Sequence, residues 1–241
     1  MTNYDALFSG VIGENYDMLN LICPLATKMS HLVGETLKDY AATKTEKLSI
    51  VELGGGTGIT TLALLNASEN TQILSIDNEP VMQNQAKKNL NAWVEKGQLS
   101  FSTNDALTAL KNLPDNSVDV IASAYTLHNF LNTYRADVVI ELFRVLKSGG
   151  QFINGDRYAL DDISQHTRAT QAEVAEYFRI LIAEKKLDLL QHWIIHLFND
   201  ESENHVMRET VALEQLRNAG FTAVNLTKRT EVNALVTAIK A

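Results

Sequence analysis

The sequence is poor in the residues from which cross-links and stiff linkers are built. Among its 241 residues there is one cysteine, Cys23, and there are three prolines, Pro24, Pro80 and Pro114. A single cysteine excludes an intrachain disulfide and a cysteine-based metal cluster, and it is typical of proteins in a reducing cytoplasm. No repeat and no stretch rich in glycine and serine marks a domain boundary, so we expect one domain.

An excess of positive charge and a long apolar run are also missing. The chain has 21 basic and 29 acidic residues and a net charge of -8. This balance disfavours broad contact with nucleic acid, whose phosphates select clustered lysine and arginine. No apolar stretch reaches the roughly 18 residues of a membrane-spanning helix, and residues 1–10 do not resemble a signal peptide. We therefore expect a soluble, cytoplasmic protein, either a monomer or a homodimer, with no nucleic acid or membrane as partner.

What the chain does have is a regular alternation of short apolar runs and helix-like segments. Hydrophobic residues make up 45% of it, enough for a sizeable core. Strands alternating with helices form βαβ units, and right-handed crossovers then produce a parallel sheet covered on both faces. Strands are predicted over 48–53, 72–77, 99–105, 117–124 and 151–156, with helices over 81–97 and 136–150.

The end of the chain adds two more strands to this sheet. Residues 211–220 are predicted to be a helix, and 221–230 and 231–240 to be adjacent strands. Their tight connection requires that they pair as an antiparallel hairpin. The long helical segment at 157–206 interrupts the alternation and is predicted to be an inserted lid.

The most specific motif is VELGGGTG at residues 51–58, which places Gly54, Gly56 and Gly58 between a strand and a helix. A tight strand-to-helix turn needs residues that tolerate positive φ, and a ligand approaches a backbone closely only where no Cβ intervenes. Gly55, the middle residue of the cluster, is expected to be the least constrained. The motif therefore predicts a ligand-binding loop.

Two acidic residues are predicted to belong to the same site. Glu52 is charged although its strand is otherwise apolar; its burial would be costly without a partner, and its carboxylate can hold an ammonium group. Asp77 ends the second strand about 20 residues after the glycines, where an acidic residue of a doubly wound fold accepts hydrogen bonds from ribose hydroxyls. The alternative for Asp77 is a helix cap, since Pro80 suits the first turn of the next helix.

Successive segments resemble the motifs of class I S-adenosylmethionine-dependent methyltransferases. The resemblance covers residues 48–157, and the ending at 213–240 supports it. Residues 15–21 also look like the N-terminal helix of the ubiquinone/menaquinone C-methyltransferase group, and the layout is similar to that of carboxy-S-adenosylmethionine synthases. The segments are VELGGGTG, SIDNEPVMQNQAKKNL, NDALTALKNLPDNSVDVIASAYTLHNF and LFRVLKSGGQFI, followed by LRNAGF.

The resemblance implies an α/β fold: a Rossmann-like, doubly wound, seven-stranded sheet, mostly parallel with an antiparallel C-terminal hairpin strand. One methyltransferase domain would span residues 1–241. Its parts would be an N-terminal helical segment at 14–40, a core at 48–156 and 207–241, and the lid at 157–206.

The cofactor implied by the resemblance is S-adenosyl-L-methionine, with S-adenosyl-L-homocysteine as the product. Asp77 would hold both ribose hydroxyls and Glu52 would lie near the amino group, while Asp105 with Ala106 would meet the adenine amine. Tyr16 is expected to close over the cofactor, or else to be ordinary core. The predicted cofactor-binding residues are Tyr16, Glu52, Gly54, Gly56, Gly58, Asp77, Asn78, Asp105, Ala106 and Ala124.

Candidates for contact with the methyl acceptor follow the fourth and fifth strands, because ligands of open α/β sheets lie beyond the carboxyl ends of the strands. They are Tyr125, His128 and Arg157. His128 is the candidate general base, since an imidazole titrates near neutral pH; the alternative is a histidine packed at the start of a helix. Arg157 directly follows the fifth strand and is expected to contact the acceptor.

No metal site is predicted. His192 and His196 are one helical turn apart, but HWIIH lacks the glutamate of the zinc-protease motif, and packing at an interface is the preferred interpretation. The lid is expected to cover the sulfonium end of the cofactor. The alternative is a dimerisation face, with Trp193 and Phe198 buried against a partner chain.

A small-molecule methyltransferase is the leading functional hypothesis. One alternative is another enzyme of the same cofactor site, such as a carboxy-S-adenosylmethionine synthase-like protein. A second is a non-catalytic methyltransferase-like subunit that binds a partner. A nicotinamide dehydrogenase is disfavoured because Ile59 occupies the position where the dinucleotide-binding fingerprint G-x-G-x-x-G requires its third glycine.

Overall fold

A seven-stranded sheet organises the chain. The computed structural model describes residues 24–241. The strands are β1 Leu48–Leu53, β2 Thr71–Ile76, β3 Leu99–Ser102, β4 Val118–Ala124, β5 Leu146–Arg157, β6 Phe221–Thr230 and β7 Asn233–Lys240. The helices are α1 Pro24–Ala41, α2 Ile59–Ala67, α3 Pro80–Asn89, α4 Asn91–Glu95, α5 Ala106–Lys111, α6 Asn132–Val145, α7 Ile163–Ala183, α8 Leu187–Asp200 and α9 Glu209–Asn218.

The strands are arranged in the order β3-β2-β1-β4-β5-β7-β6. β1 to β5 pair in parallel, whereas β7 is antiparallel to both β5 and β6. The central strands β1 and β4 are almost continuous apolar runs, as expected of strands covered on both faces. The predicted fold class is confirmed. Successive strands are added to one side of β1 as far as β3 and to its other side from β4 onward, and open α/β folds bind ligands at this switch point between β1 and β4.

Helices pack on both faces of the sheet. On one face, Val33 and Leu37 of α1 and Leu64 of α2 belong to a fully buried apolar cluster with the central strands. On the other face, Val138 and Leu142 of α6 lie in a second cluster. α1 also runs very close to the sheet, since a Cβ at Gly155 would lie 3.0 Å from the carbonyl oxygen of Met29. This packing fixes the ends of β1, β4 and β5, from which the site is built.

One predicted boundary is wrong. The helix predicted over 136–150 ends at Val145, and Leu146 already begins β5. Leu146 pairs with Val118 of β4, but the next pair joins Gln151 to Val120, so the residues between form a bulge. The glycines of the bulge, with φ of +76° at Gly149, supply this irregular backbone rather than a helix cap.

Two other predicted elements are longer than the observed ones. The helix at 81–97 is divided into α3 and α4 at Leu90, which is buried in the core. β3 stops at Ser102 rather than 105. Of the helical segment predicted over 14–40, residues 24 onward form α1; residues 14–23, including Tyr16, lie outside the described residues. Within residues 24–241, no helix has the length and apolarity needed to span a membrane.

The predicted lid is a pair of helices, α7 and α8, packed on a third apolar cluster. That cluster joins Trp193 and Leu197 of α8 to Ala26 of α1, and Tyr125 packs against it. Trp193 is only 5% exposed within its own chain, whereas Phe198 is 74% exposed. Trp193 is therefore part of the fold, and only Phe198 of that pair is accessible in one chain.

The α7–α8 segment leaves and rejoins the core at a single point. The Ala159 N–H donates to the Met207 carbonyl at 2.8 Å, and the Glu209 N–H donates to the Ala159 carbonyl at 2.9 Å. A parallel bridge between Ala159 and Arg208 results. The intervening helices are therefore an insertion whose two ends are held side by side.

Candidate functional site

An open cleft of about 570 Å³ lies at the carboxyl ends of β1, β2 and β4. Predicted site residues on its wall are Gly54, Gly56, Asp77, Asn78, Ala106, Ala124 and Tyr125; the other lining residues are Ile76, Glu79, Met82, Asn104, Thr126, Asn129 and Phe130.

The glycine loop needs glycine for two separate reasons. Gly54, Gly56 and Gly58 all have positive φ, at +68°, +53° and +97°, a region that side chains with a Cβ avoid. A Cβ at Gly54 would also lie 1.9 Å from Oγ1 of Thr126. Gly58 is not among the lining residues of the cleft; it precedes α2 and its Cβ position faces Leu90.

Gly55 is not the freest position of the loop, as the motif suggested. A Cβ there would lie 2.0 Å from Oγ of Ser75 and 3.2 Å from Oε2 of Glu52. The middle glycine is therefore required because the loop lies directly on the neighbouring strand β2 and on the Glu52 carboxyl.

Asp77 ties the glycine loop to the start of α3. Its Oδ2 accepts the Gly56 N–H at 2.7 Å and its Oδ1 accepts the Glu79 N–H at 2.8 Å. The cap of α3 is Glu79, whose side chain accepts from the Val81 N–H. Burial raises the pKa of Asp77. Each carboxylate oxygen can accept a second hydrogen bond, so Asp77 can bind ligand hydroxyls without releasing the loop.

Glu52 is fully buried beneath the loop. Its Oε2 accepts from the Thr61 hydroxyl at 2.7 Å, whereas its Oε1 has no hydrogen-bond partner among the described residues. Burial raises the pKa of Glu52 to about 7, despite hydrogen bonds from Ser75 and Thr61. An unpartnered buried carboxyl oxygen fits a site whose missing donor is an ammonium group.

A second cavity, of about 330 Å³, lies between the glycine loop and α1. It shares Gly54, Ala124 and Tyr125 with the main cleft, and Gly55, above Glu52, is part of its wall. On the α1 side, the hydroxyls of Ser30 and Thr60 are 2.8 Å apart. The two cavities together extend from the ends of β2 and β3 to α1, and Glu52 is at the α1 end.

Replacing Glu52 with glutamine should change how stability depends on pH. With its pKa raised from 4.5 to about 7, the folded protein retains a proton that the unfolded chain releases, so this contribution to stability is full below pH 4.5 and is lost as the pH rises to about 7. Glutamine cannot ionise. Relative to the parent, the free energy of unfolding of Glu52→Gln should therefore rise by roughly 3 kcal/mol between pH 5 and pH 8.

Urea denaturation at pH 5 and at pH 8 measures this difference. Glu95→Gln, on the exposed side of α4, is the matched control and should show no such change. An equal offset between Glu52→Gln and the parent at both pH values would contradict the prediction.

Asp105 does not line the cleft, although its neighbours Asn104 and Ala106 do. Its Oδ1 accepts from the Thr108 N–H and from the Tyr134 hydroxyl, both at 2.9 Å, so it caps α5. Burial alone would raise the pKa of Asp105, but these hydrogen bonds lower it. The adenine contact predicted for Asp105 stays a prediction.

Tyr125 lies at the junction of the two cavities. Its φ of +51° is in the left-handed region, which is uncommon for a residue with a bulky side chain. The Tyr125 hydroxyl donates to Oδ1 of Asn233 on β7. Strained backbone of this kind concentrates at functional sites, which favours a role for Tyr125 in ligand binding.

His128 belongs to a neighbouring polar cluster instead of the wall of the cleft. Its Nδ1 is 2.5 Å from Oδ1 of Asp156, and its Nε2 is 3.7 Å from Oδ2 of Asp200. The other oxygen of Asp156 accepts the Leu127 N–H at 2.9 Å. Burial alone would raise the pKa of Asp156, but His128 and these hydrogen bonds lower it. The turn that carries His128 is thus held by a buried carboxylate.

Arg157 is also behind the cleft, where it joins the inserted helices to β5. Its Nη1 donates to both carboxylate oxygens of Glu173 at 2.8 and 2.9 Å, and its Nη2 donates to Glu201 at 3.1 Å. His166 approaches the other oxygen of Glu201 at 2.5 Å. An acceptor contact by Arg157 stays a prediction, since these donors are already engaged by carboxylates.

Asn129, which the sequence also placed after the fourth strand, lines the cleft beside Tyr125, whereas sequence reasoning missed Thr126 and Phe130. All three follow β4 in the TLHNF segment. Their position after a central strand was the available signal. Which of them faced the cleft depended on the tight turn at 127–129, and no periodic pattern indicates such a turn.

Comparison with known proteins agrees with this geometry. Residues 51–154 match the family described as "Methyltransferase domain". The chain is 33% identical over 127 residues to a demethylmenaquinone methyltransferase of Leptospira interrogans, a match that covers 53% of this chain and 48% of the relative. The chain thus matches about half the length of that relative. It is 27% identical to a carboxy-S-adenosyl-L-methionine synthase of Campylobacter hominis, over 87% of this chain and 83% of the relative.

The solved structures share the fold at low sequence identity. An O-methyltransferase family protein from Burkholderia thailandensis superposes with a TM-score of 0.67 at 17% identity, covering 95% of this chain and 60% of that protein. Residues 51–154 therefore resemble a methyltransferase domain, and the chain has the fold of solved S-adenosylmethionine-dependent methyltransferases, as its motifs predicted.

Proposed function

We propose that this chain binds S-adenosylmethionine in the cleft and transfers its methyl group to a small-molecule acceptor. The observation that carries the proposal is the convergence of four separate chain segments on one wall. These segments lie at the carboxyl ends of β1, β2, β3 and β4. In that order, their residues on the wall are Gly54 and Gly56, then Asp77 and Asn78, then Ala106, then Ala124 and Tyr125. The family resemblance assigned contacts with the cofactor to these same segments.

The residues of the cleft fit a nucleoside with an amino-acid tail. Asp77 has spare acceptor capacity for two ribose hydroxyls, and the orphaned oxygen of Glu52 provides an acceptor for an ammonium group near the second cavity. When bound, the cofactor supplies a methyl group on a sulfonium sulfur. Transfer of that group to a nucleophile leaves the neutral thioether S-adenosylhomocysteine.

The contribution of the protein to such a reaction is alignment. Two reactants held in line gain a large effective concentration without any covalent participation by the enzyme. Tyr125 is the predicted catalytic residue best placed for this role, because it lines both cavities. Its hydroxyl is held by Asn233, which fixes the ring beside the place proposed for the methyl group.

The charge of the wall limits the acceptor. Asp77 and Glu79 line the main cleft, and no lysine or arginine lines either cavity within the part of the chain that the structure describes. A neutral or cationic acceptor is compatible with this surface, whereas a strongly anionic one would lack a counter-charge. Quinones and their quinols, the acceptor class suggested by the name of the demethylmenaquinone methyltransferases, are neutral and belong to the compatible group.

A second candidate is an enzyme that makes carboxy-S-adenosylmethionine. It is favoured by the length of the match to the Campylobacter hominis relative, which extends over 87% of this chain. The absence of lysine and arginine from the described walls weighs against it, because an added carboxylate needs a cation. A non-catalytic binding subunit is the third possibility.

S-adenosylhomocysteine should bind and raise the melting temperature. A ligand at 100 times its Kd stabilises the folded state by about 2.7 kcal/mol, which for a chain of this size is about 5–10 °C. Differential scanning fluorimetry and titration calorimetry measure the two effects, and NADH is the control. A response to NADH and none to S-adenosylhomocysteine would contradict the proposal.

Product analysis separates the three candidate functions. With methyl-labelled S-adenosylmethionine and a panel of quinols and other small phenols, a methyltransferase yields labelled acceptor and S-adenosylhomocysteine. With a panel of carboxylic acids added as carboxyl donors, a carboxylating enzyme instead yields a heavier, carboxyl-bearing cofactor in the mass spectrum. Cofactor binding with no turnover on any acceptor would favour the binding subunit.

A further inference from the structure

The turn after β4 and the helix α8 bring two histidines and an aspartate together. We propose that His128, His196 and Asp200 bind one divalent transition-metal ion, with Zn²⁺ as the best match, and that this ion fastens α8 to the core. The proposal is independent of the proposed methyl transfer. It departs from the expectation of no metal, which considered only the spacing of His192 and His196.

The distances among the ligand atoms fit a metal site. Nε2 of His196 is 3.4 Å and Nε2 of His128 is 3.7 Å from Oδ2 of Asp200. One ligand atom from each of the three residues lies within 4.8 Å of the others. Bonds of about 2.0–2.1 Å in a tetrahedron place neighbouring ligands about 3.3 Å apart. Small side-chain adjustments therefore complete the geometry.

The contact of His128 with Asp156 leaves the other ring nitrogen, Nε2, on the side of the proposed metal. Asp156 is 2.5 Å from Nδ1 of His128, so a proton on Nδ1 would be hydrogen-bonded to Asp156 and would leave the lone pair of Nε2 on the side of Asp200. Metal-binding histidines typically donate their other N–H to a carboxylate in this manner. Both His128 and His196 are buried.

Asp200 provides an independent indication of a missing cation. It is buried, and its Oδ1 has no hydrogen-bond partner among the described residues. Arg157, a nearby cation, donates to Glu173 and Glu201. Arg135 donates to backbone carbonyls, including those of Phe130 and His205. A buried carboxylate with an unpartnered oxygen is stabilised by a cation bound beside it.

The protein supplies three ligands and an adjacent space. A cavity of about 220 Å³ touches His128 and Asp200 and is also lined by Ala159, Met207 and Val232. A water molecule can occupy the fourth position there, as in metal sites with an open coordination position. Tyr125 lies between this cluster and the cofactor cleft, with its ring 5.7 Å from that of His128.

A metal-free alternative explains the same cluster differently. A doubly protonated His128 would bridge Asp156 and Asp200 by two ion pairs. This arrangement needs no ligand from His196 and no metal. Zinc uptake and its dependence on His196 therefore distinguish the two.

The test is a titration of metal-depleted protein with Zn²⁺, and then with Co²⁺. We expect one Zn²⁺ per chain, by calorimetry and by elemental analysis after gel filtration, and visible Co²⁺ absorption of tetrahedral type. His196→Gln and Asp200→Asn should weaken zinc binding at least about 100-fold, since loss of a ligand exceeds the effect of losing an outer partner. His192→Gln is the control, because His192 is a partly buried histidine one turn away on the same helix and is not one of the three proposed ligands.

Zn²⁺ should also raise the melting temperature of the parent and of His192→Gln, and leave that of His196→Gln unchanged. The proposal is wrong if the folded parent takes up no stoichiometric zinc, a result that needs no variant. It is equally wrong if His196→Gln and Asp200→Asn bind zinc as tightly as the parent does.

Discussion

Replacing Arg157 with alanine is expected to lower the free energy of unfolding by about 3–5 kcal/mol. The Arg157 side chain is 9% exposed and forms ion pairs with Glu173 of α7 and with Glu201 directly after α8. Its removal leaves two poorly exposed carboxylates without their shared cation. Removal of one partner of a buried pair costs far more than the pair itself contributes, because the remaining charge is desolvated and unpaired.

Urea denaturation monitored by circular dichroism measures the loss. Arg179→Ala is the control, since Arg179 also pairs with a glutamate on α7 but is exposed to solvent, where ion pairs contribute little. A loss for Arg157→Ala no larger than that for Arg179→Ala would contradict a structural role. Arg157→Lys addresses the sequence-based hypothesis separately, because retained stability and S-adenosylhomocysteine binding with lost turnover would favour an acceptor contact.

Replacing Asp77 with alanine is expected to weaken S-adenosylhomocysteine binding by more than tenfold while the fold persists. Hydrogen bonds to charged groups contribute about 1.5–3 kcal/mol. In the ligand-free chain the two Asp77 oxygens hold the Gly56 and Glu79 amides. The loss therefore has two sources, the ribose contact itself and the order of the glycine loop.

A cycle of ligands and variants separates these sources. The parent and Asp77→Ala are each titrated with S-adenosylhomocysteine and with its 2′,3′-dideoxy analogue. If Asp77 binds the ribose, the parent discriminates between the two ligands and the variant does not, because the coupling energy belongs to that contact. Equal discrimination in both proteins, with native circular dichroism, would assign the effect of Asp77→Ala to the loop alone.

The cofactor wall was predictable from sequence because each of its parts is local. The glycine loop, Asp77 and Ala124 are each fixed by the strand that precedes them, and parallel strands deliver their carboxyl ends to one edge. Gly55 was misjudged for the opposite reason. Its constraint comes from Ser75 on the neighbouring strand. A contact between two strands cannot be inferred from the motif of one strand alone.

The polar cluster behind the cleft was beyond sequence reasoning. His196 and Asp200 are one turn apart on α8, but His128 reaches them from a turn that follows β4. Which of His192 and His196 is buried depends on the face of α8 that packs inward. The sequence does not decide this, because apolar residues flank both histidines. Likewise, β5 begins inside the predicted helix because pairing of Leu146 with Val118 outweighs local helical preference.

The position of the inserted helices has a consequence for how this chain can diversify. Residues 160–206 depart and return beside one another at Ala159 and Arg208, so their length does not alter the register of any strand. Insertions held at neighbouring ends tolerate changes in length at small entropic cost. Changes in the length of α7 and α8 therefore leave the glycine loop and Asp77 in place, and one scaffold can keep the wall of its cleft constant while the inserted helices lengthen or shorten.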